Sequence, residues 1–130
     1  MGNKAAGLNL KTDLAHGVAD RVRFEAVTAK DISETGFDLI TTFDALHDMG
    51  DPEGCAGNMK RILKPDGAWM IVEPIAGDAP EDNLNPVGRR YYNGSTMICV
   101  PTSLDQEVAL GLGAQAGQAE LSEVVEAGGD

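Results

Sequence analysis

The alternation of apolar and polar positions is sharpest across residues 37–74. Phe37-Asp38-Leu39-Ile40-Thr41-Thr42-Phe43 is short and rich in β-branched and aromatic residues, which predicts a strand. It gives way to the polar run Asp44-Ala45-Leu46-His47-Asp48. Beyond that loop Asp51 suits a helix N-cap and Pro52 suits the first turn. Cys55, Met59, Ile62 and Leu63 then recur at i, i+4, i+7 and i+8, so they share one apolar face. Lys60, Arg61 and Lys64 crowd the end of that helix, where cations complement the dipole. Lys64-Pro65-Asp66-Gly67 predicts a stop and a turn into Ala68-Trp69-Met70-Ile71-Val72, a nearly continuous apolar run suited to a strand covered on both faces. Strand, acidic loop, helix and strand together predict a parallel, right-handed βαβ unit.

The flanks carry weaker patterns. Residues 1–19 predict a helix, with Ala5, Leu8 and Ala15 as its apolar positions and His16-Gly17 as its stop. Val22, Phe24 and Ala26 alternate with Arg21, Arg23 and Glu25, which predicts a strand over 22–27 leading into Thr28-Ala29-Lys30-Asp31. Residues 75–85 read as a polar loop. Asn85-Pro86 starts a helix expected over 86–99, with Val87, Tyr91 and Ile98 on one side. Arg89 and Arg90 on it read either as an anion clamp or as a solvated pair beside a packed tyrosine. Ser103-Leu104-Asp105-Gln106 has the form of a capping box and predicts a further helix through Val108 and Leu110. The glycine-rich stretch 111–117 follows that helical pattern instead of a strand, which excludes a phosphate-cradling loop. Leu121, Val124 and Val125 form a last stripe that Gly128-Gly129 should end.

Composition narrows the possibilities. At 130 residues the chain is expected to be a single domain, small for an open α/β sheet clothed on both faces. Its apolar runs are too short to span a bilayer, and the start of the sequence shows no apolar signal core, so a cytoplasmic location is expected. A net charge of −11 opposes binding to nucleic acid or to anionic membrane, because both partners select basic surfaces. Cys55 and Cys99 lack metal-ligand spacing and read as reduced, buried thiols, and no metal is expected.

In an open parallel sheet, ligands bind outside the carboxyl ends of the strands. The predicted strands deliver Asp31, Asp44, Asp48 and Glu73 to that edge, together with His47. A histidine among carboxylates there suits a general base, since its proton affinity lies near neutrality and a carboxylate can orient the ring. The competing reading has Asp44 and Asp48 simply capping the turn into the following helix.

These residues resemble those of class I S-adenosylmethionine-dependent methyltransferases of the small-molecule O-methyltransferase kind. The resemblance runs from about Gly17 to Gly129. It is strongest in Phe43-Asp44-Ala45-Leu46-His47-Asp48-Met49, similar to the family's histidine-aspartate loop after strand four, and in Leu63-Lys64-Pro65-Asp66-Gly67 with Trp69-Met70-Ile71-Val72-Glu73-Pro74, similar to its strand five. It implies a partial Rossmann-like, three-layer α/β fold of about three mostly parallel strands with flanking helices. It also implies S-adenosylmethionine as cofactor, held by Asp31 at the adenine, Ile32 beside the ring, and Phe43 and Asp44 near the sulfonium. The catalytic group would be His47 as base with Asp48 and Glu73, and the acceptor a small hydroxylated molecule. The family's glycine-rich loop after strand one, its ribose-binding acid and its C-terminal hairpin have no counterpart in this sequence. The chain is therefore expected to be a truncated domain, impaired or inactive alone, with a second copy or a complementing chain covering its sheet edges. The alternative is a non-catalytic module, derived from such an enzyme, that binds a ligand or dimerises.

Overall fold

The computed structural model describes residues 17, 18 and 20–129, so the helix expected over 1–19, with His16, lies outside the described residues. Strands β1 (Phe37–Phe43) and β2 (Leu63–Val72) pair in parallel, and helix α1 (Pro52–Ile62) connects them. This is the βαβ unit that the periodicity predicts. From Leu39↔Ala68 to Phe43↔Val72 the strands run in step. Earlier, β1 advances from 37 to 39 while β2 advances from 63 to 68, so Lys64-Pro65-Asp66 bulge outward and the expected turn is absorbed into β2. Pro65 has no N–H for a ladder, which is why the excursion falls there.

The start of α1 is fixed by the Asp51 side chain, which accepts a hydrogen bond from the Gly54 amide at 2.9 Å. Cys55, Met59 and Ile62 are buried as their spacing requires and form the core with Leu46. Each such side chain contributes about 1.5–3 kcal/mol by leaving water. Leu63 adopts an extended conformation, so it opens β2 instead of closing the helix face. Ile40, Trp69 and Ile71 pack on this core from one face of the sheet. On the other face Leu39 is 57% and Phe43 60% exposed, and among the described residues nothing covers them. The expected double coverage of β2 is thus met on one side only.

The strand expected over 22–27 does not form. Among the described residues this segment is unpaired and exposed, and the sheet has two strands instead of three. Alternation makes a strand only where a neighbour offers a ladder. Here Arg23 is instead engaged by Glu25 and Glu34 at the surface. The segment ends in a short 3-10 turn, Ala29–Asp31, anchored to α1 by Asn58, whose amide donates to the carbonyls of Ala29 (2.8 Å) and Ile32 (3.1 Å).

After β2, buried Asn83 closes the polar loop by accepting from the Gly77 amide at 2.8 Å and donating to its carbonyl at 3.0 Å. Helix α2 (Pro86–Gly94), capped by Asn85, continues through a π-helical turn (Ser95–Cys99) into α3 (Val100–Leu104). The helix expected over 86–99 is therefore longer, and its inward side differs from the predicted one. Val87, Tyr91 and Ile98 are exposed, whereas Gly88, Ser95 and Ser103 are buried.

No helix begins at Ser103. Its hydroxyl donates to the Met49 carbonyl at 2.7 Å and accepts from the Gly111 amide at 3.0 Å. The Gln106 amide accepts from Gly50 N–H and donates to Asp48 C=O. Both side chains of the supposed capping box thus hold the 48–50 loop, and the chain beyond takes positive φ at Val108 and Ala109, which a helix excludes.

Helix α4 (Gln118–Gly129) packs on α1 with Val124 buried. It runs through Gly128 instead of stopping before it. A Cβ at Gly128 would lie 2.2 Å from the Glu53 carbonyl oxygen, so the helices approach as closely as glycine allows.

Candidate active site

The loop between β1 and α1 folds over the carboxyl ends of both strands. Asp44 leaves β1 with a φ of 50°, and its amide donates to the Val72 carbonyl at 2.7 Å. The next turn, Leu46–Asp48, drives the Leu46 side chain into the core and carries the His47 ring beneath the surface.

Glu73, the first residue after β2, is the anchor. Its Oε1 accepts from the backbone amides of Ala45 (3.1 Å) and Leu46 (2.7 Å), and its Oε2 pairs with His47 Nδ1. The side chains of His47 and Glu73 are only 4% and 5% exposed. A carboxylate only accepts, so this contact places the proton of a neutral imidazole on Nδ1 and leaves the lone pair on Nε2. Nε2 faces Asp48 Oδ1 at 3.3 Å. The arrangement can take a proton from an acidified hydroxyl and hold the ring still while doing so.

The predicted catalytic residues His47, Asp48 and Glu73 therefore meet, and Asp44 joins them, its carboxylate, His47 and Glu73 lying within 4.8 Å of one another. The other predicted cofactor residues stand apart. Asp31 lines a cavity of about 530 Å³ together with Thr28, Met49, Asp51, Cys55 and Gln106. One of its carboxylate oxygens accepts from the Thr28 hydroxyl. Ile32 packs against the core cluster, and Phe43 lies at the end of β1 on the uncovered sheet face. A second cavity of about 580 Å³ opens beside Glu73, between Ile71 and Ile75 on one wall and Leu121, Ser122 and Val125 of α4 on the other.

Sequence reasoning missed Cys99. The π-helical turn brings its sulfur within 4.8 Å of donor atoms of His47 and Asp48. Burial, with Asp48 beside it, pushes this thiol up to about 11. Cys55, buried in the core with Asp51 nearby, is likewise pushed up to about 11. Both are thus protonated at neutral pH; Cys55 is buried as expected, whereas Cys99 is only half-buried. No spacing signal links position 48 to position 99; only the tertiary fold does.

A family model described as methyltransferase domain matches residues 11–129. No curated protein matches the sequence. Among solved structures, that of the mitomycin 7-O-methyltransferase MmcR superposes with a TM-score of 0.69 at 18% identity, over 98% of this chain and 33% of that one. The chain thus spans about a third of the length of that protein, and at this identity the likeness concerns the fold.

Proposed function

The chain belongs to the methyltransferase domain family, and on that premise we propose that it serves the transfer of a methyl group from S-adenosylmethionine to a hydroxyl oxygen of a small acceptor. One observation carries the reading: a buried histidine whose Nδ1 is held by Glu73, itself fixed by two backbone amides. That construction serves a base that must present Nε2 in one orientation.

The residues present suit the cofactor. Asp31 keeps one carboxylate oxygen without a hydrogen bond from the described residues, on a cavity walled by Met49 and Cys55, which matches an adenine ring with its amino group. The Asp44 carboxylate, close to His47 and Glu73, matches a positively charged sulfonium or ammonium. When bound, the cofactor supplies an electrophilic methyl carbon. His47 Nε2 removes the acceptor's hydroxyl proton, and Glu73 at Nδ1 and Asp48, 3.3 Å from Nε2, stabilise the imidazolium that results. Positioning contributes the remainder, because in-line displacement depends mainly on alignment.

Among the described residues no strand precedes β1, so the strand-end acid that the family uses to hold the ribose has no counterpart among them. The affinity of this chain alone therefore rests on Asp31 and Asp44 and is expected to be weak. A second reading, a non-catalytic module that binds a ligand or a second copy, draws support from the uncovered face bearing Leu39, Phe43, Met70 and Val72. Titration with S-adenosylhomocysteine, followed by amide chemical shifts, separates the two. Methyl-transfer descent with a residual site predicts shifts at Asp31, Phe43 and Asp44; silence at millimolar ligand leaves only the module.

A further inference from the structure

We propose that His47 Nε2, Asp48 Oδ1 and Cys99 Sγ form a three-ligand site for a zinc ion, with Glu73 as the carboxylate that orients the histidine. The proposal goes beyond methyl transfer and does not depend on it.

One donor atom from each of His47, Asp48 and Cys99 lies within 4.8 Å of the other two. Tetrahedral zinc, with bonds of about 2.0–2.3 Å, sets its ligand atoms about 3.3–3.8 Å apart. Nε2 and Oδ1 already stand at 3.3 Å, the separation that a tetrahedral ion requires of them. Asp48 Oδ1 provides an independent pointer. It is shielded from water yet has no hydrogen-bond partner among the described residues, because an Nε2 that carries no proton cannot donate to it. A buried acceptor without a donor is rare and is expected where a cation is to sit.

The surroundings support the same assignment. Metal-bound histidines commonly give their other N–H to a carboxylate, which fixes the tautomer, and Glu73 does this for Nδ1. Cys99 is delivered by a π-helical turn, a form that recurs where a helix must aim a side chain into a site. The rival grouping of Asp44, His47 and Glu73 offers less, because both Glu73 oxygens and Nδ1 already bond within the protein. A mixed nitrogen, oxygen and sulfur set favours zinc over magnesium or calcium, which take oxygen donors.

Binding converts the Cys99 thiol to a thiolate and releases its proton to solvent, so that the ion gains a sulfur ligand and the protein loses one proton. The ion occupies the Nε2 lone pair that would otherwise accept the acceptor's proton. If the proposed methyl transfer holds, the zinc-loaded protein is therefore unable to deprotonate an acceptor, and a chelator would restore that capacity; the site itself stands without that reading.

Cobalt(II) titration of the full, reduced, chelator-treated chain tests the site directly, because a cysteine-bound cobalt shows a thiolate-to-metal charge-transfer absorption. One equivalent should produce this band, and zinc should displace it. Cys55→Ser should keep the band, Cys99→Ser should abolish it, and Asp48→Asn should weaken affinity at least about tenfold. Absence of the band from the parent chain, or an equal band in Cys99→Ser, overturns the proposal. Should Cys99→Ser fail to fold, alkylation of the parent chain read by mass spectrometry decides: one equivalent of zinc should protect Cys99, and unchanged alkylation overturns the site.

Discussion

Replacing His47 with alanine is expected to lower the rate of methyl transfer by about 10²- to 10⁴-fold, the usual contribution of a positioned general base. The effect should fall on kcat with little change in binding of S-adenosylhomocysteine, because the proposed cofactor contacts are Asp31 and Asp44. Alanine also strips Glu73 Oε2 of its partner in a buried place, so some stability should be lost with it. His47→Asn removes that ambiguity. An asparagine amide stands near the former Nδ1 and can still donate to Glu73, yet it has no basic nitrogen. The account requires His47→Asn to melt close to the parent chain, by circular dichroism, and to transfer methyl as poorly as His47→Ala. Retained turnover in either variant would remove His47 from the chemistry.

Glu73→Ala is expected to cost more in stability than any other change at the site, roughly 2–5 kcal/mol. A single carboxylate serves the amides of Ala45 and Leu46 and the ring of His47, and its loss strands three donors at once. Because Leu46 belongs to the core cluster, the loop cannot relax outward without opening the core. Denaturant unfolding should show a lower midpoint with an unchanged slope. Glu73→Gln divides stability from chemistry. Its carbonyl oxygen can still accept from the two backbone amides, but its NH₂ then faces Nδ1, which turns Nδ1 into an acceptor and moves the imidazole proton to Nε2. The glutamine variant should therefore stay folded and lose methyl transfer. A stable and fully active variant would show that Glu73 is only a structural pin.

Much of this arrangement is legible in the sequence because the signals are local. The Asp51 cap, the Cys55, Met59 and Ile62 face, and Asp44 and Glu73 at the ends of β1 and β2 each lie within a few residues of the element they define, and the structure keeps them, whereas Asp31 follows no strand. The failures share the opposite property. Val22, Phe24 and Ala26 alternate correctly for a strand but find no ladder partner among the described residues. Ser103 and Gln106 have the spacing of a capping box, yet contacts with Met49, Gly50 and Asp48, more than fifty residues earlier, decide their role. The stripe Val87, Tyr91 and Ile98 turns outward because the small residues Gly88, Ser95 and Ser103 let the helix seat on its other side. Cys99 reaches Asp48 by the same tertiary route, through a π-helical turn that no propensity announces.

The claim on which the functional reading rests is that Glu73 fixes His47 with its lone pair on Nε2. Long-range nitrogen–proton NMR of the His47 ring, recorded where the ring is neutral, reads the tautomer directly. The account predicts a proton on Nδ1 in the parent chain and its transfer to Nε2 in Glu73→Gln. A proton on Nε2 in the parent chain, or the same tautomer in both proteins, would contradict it.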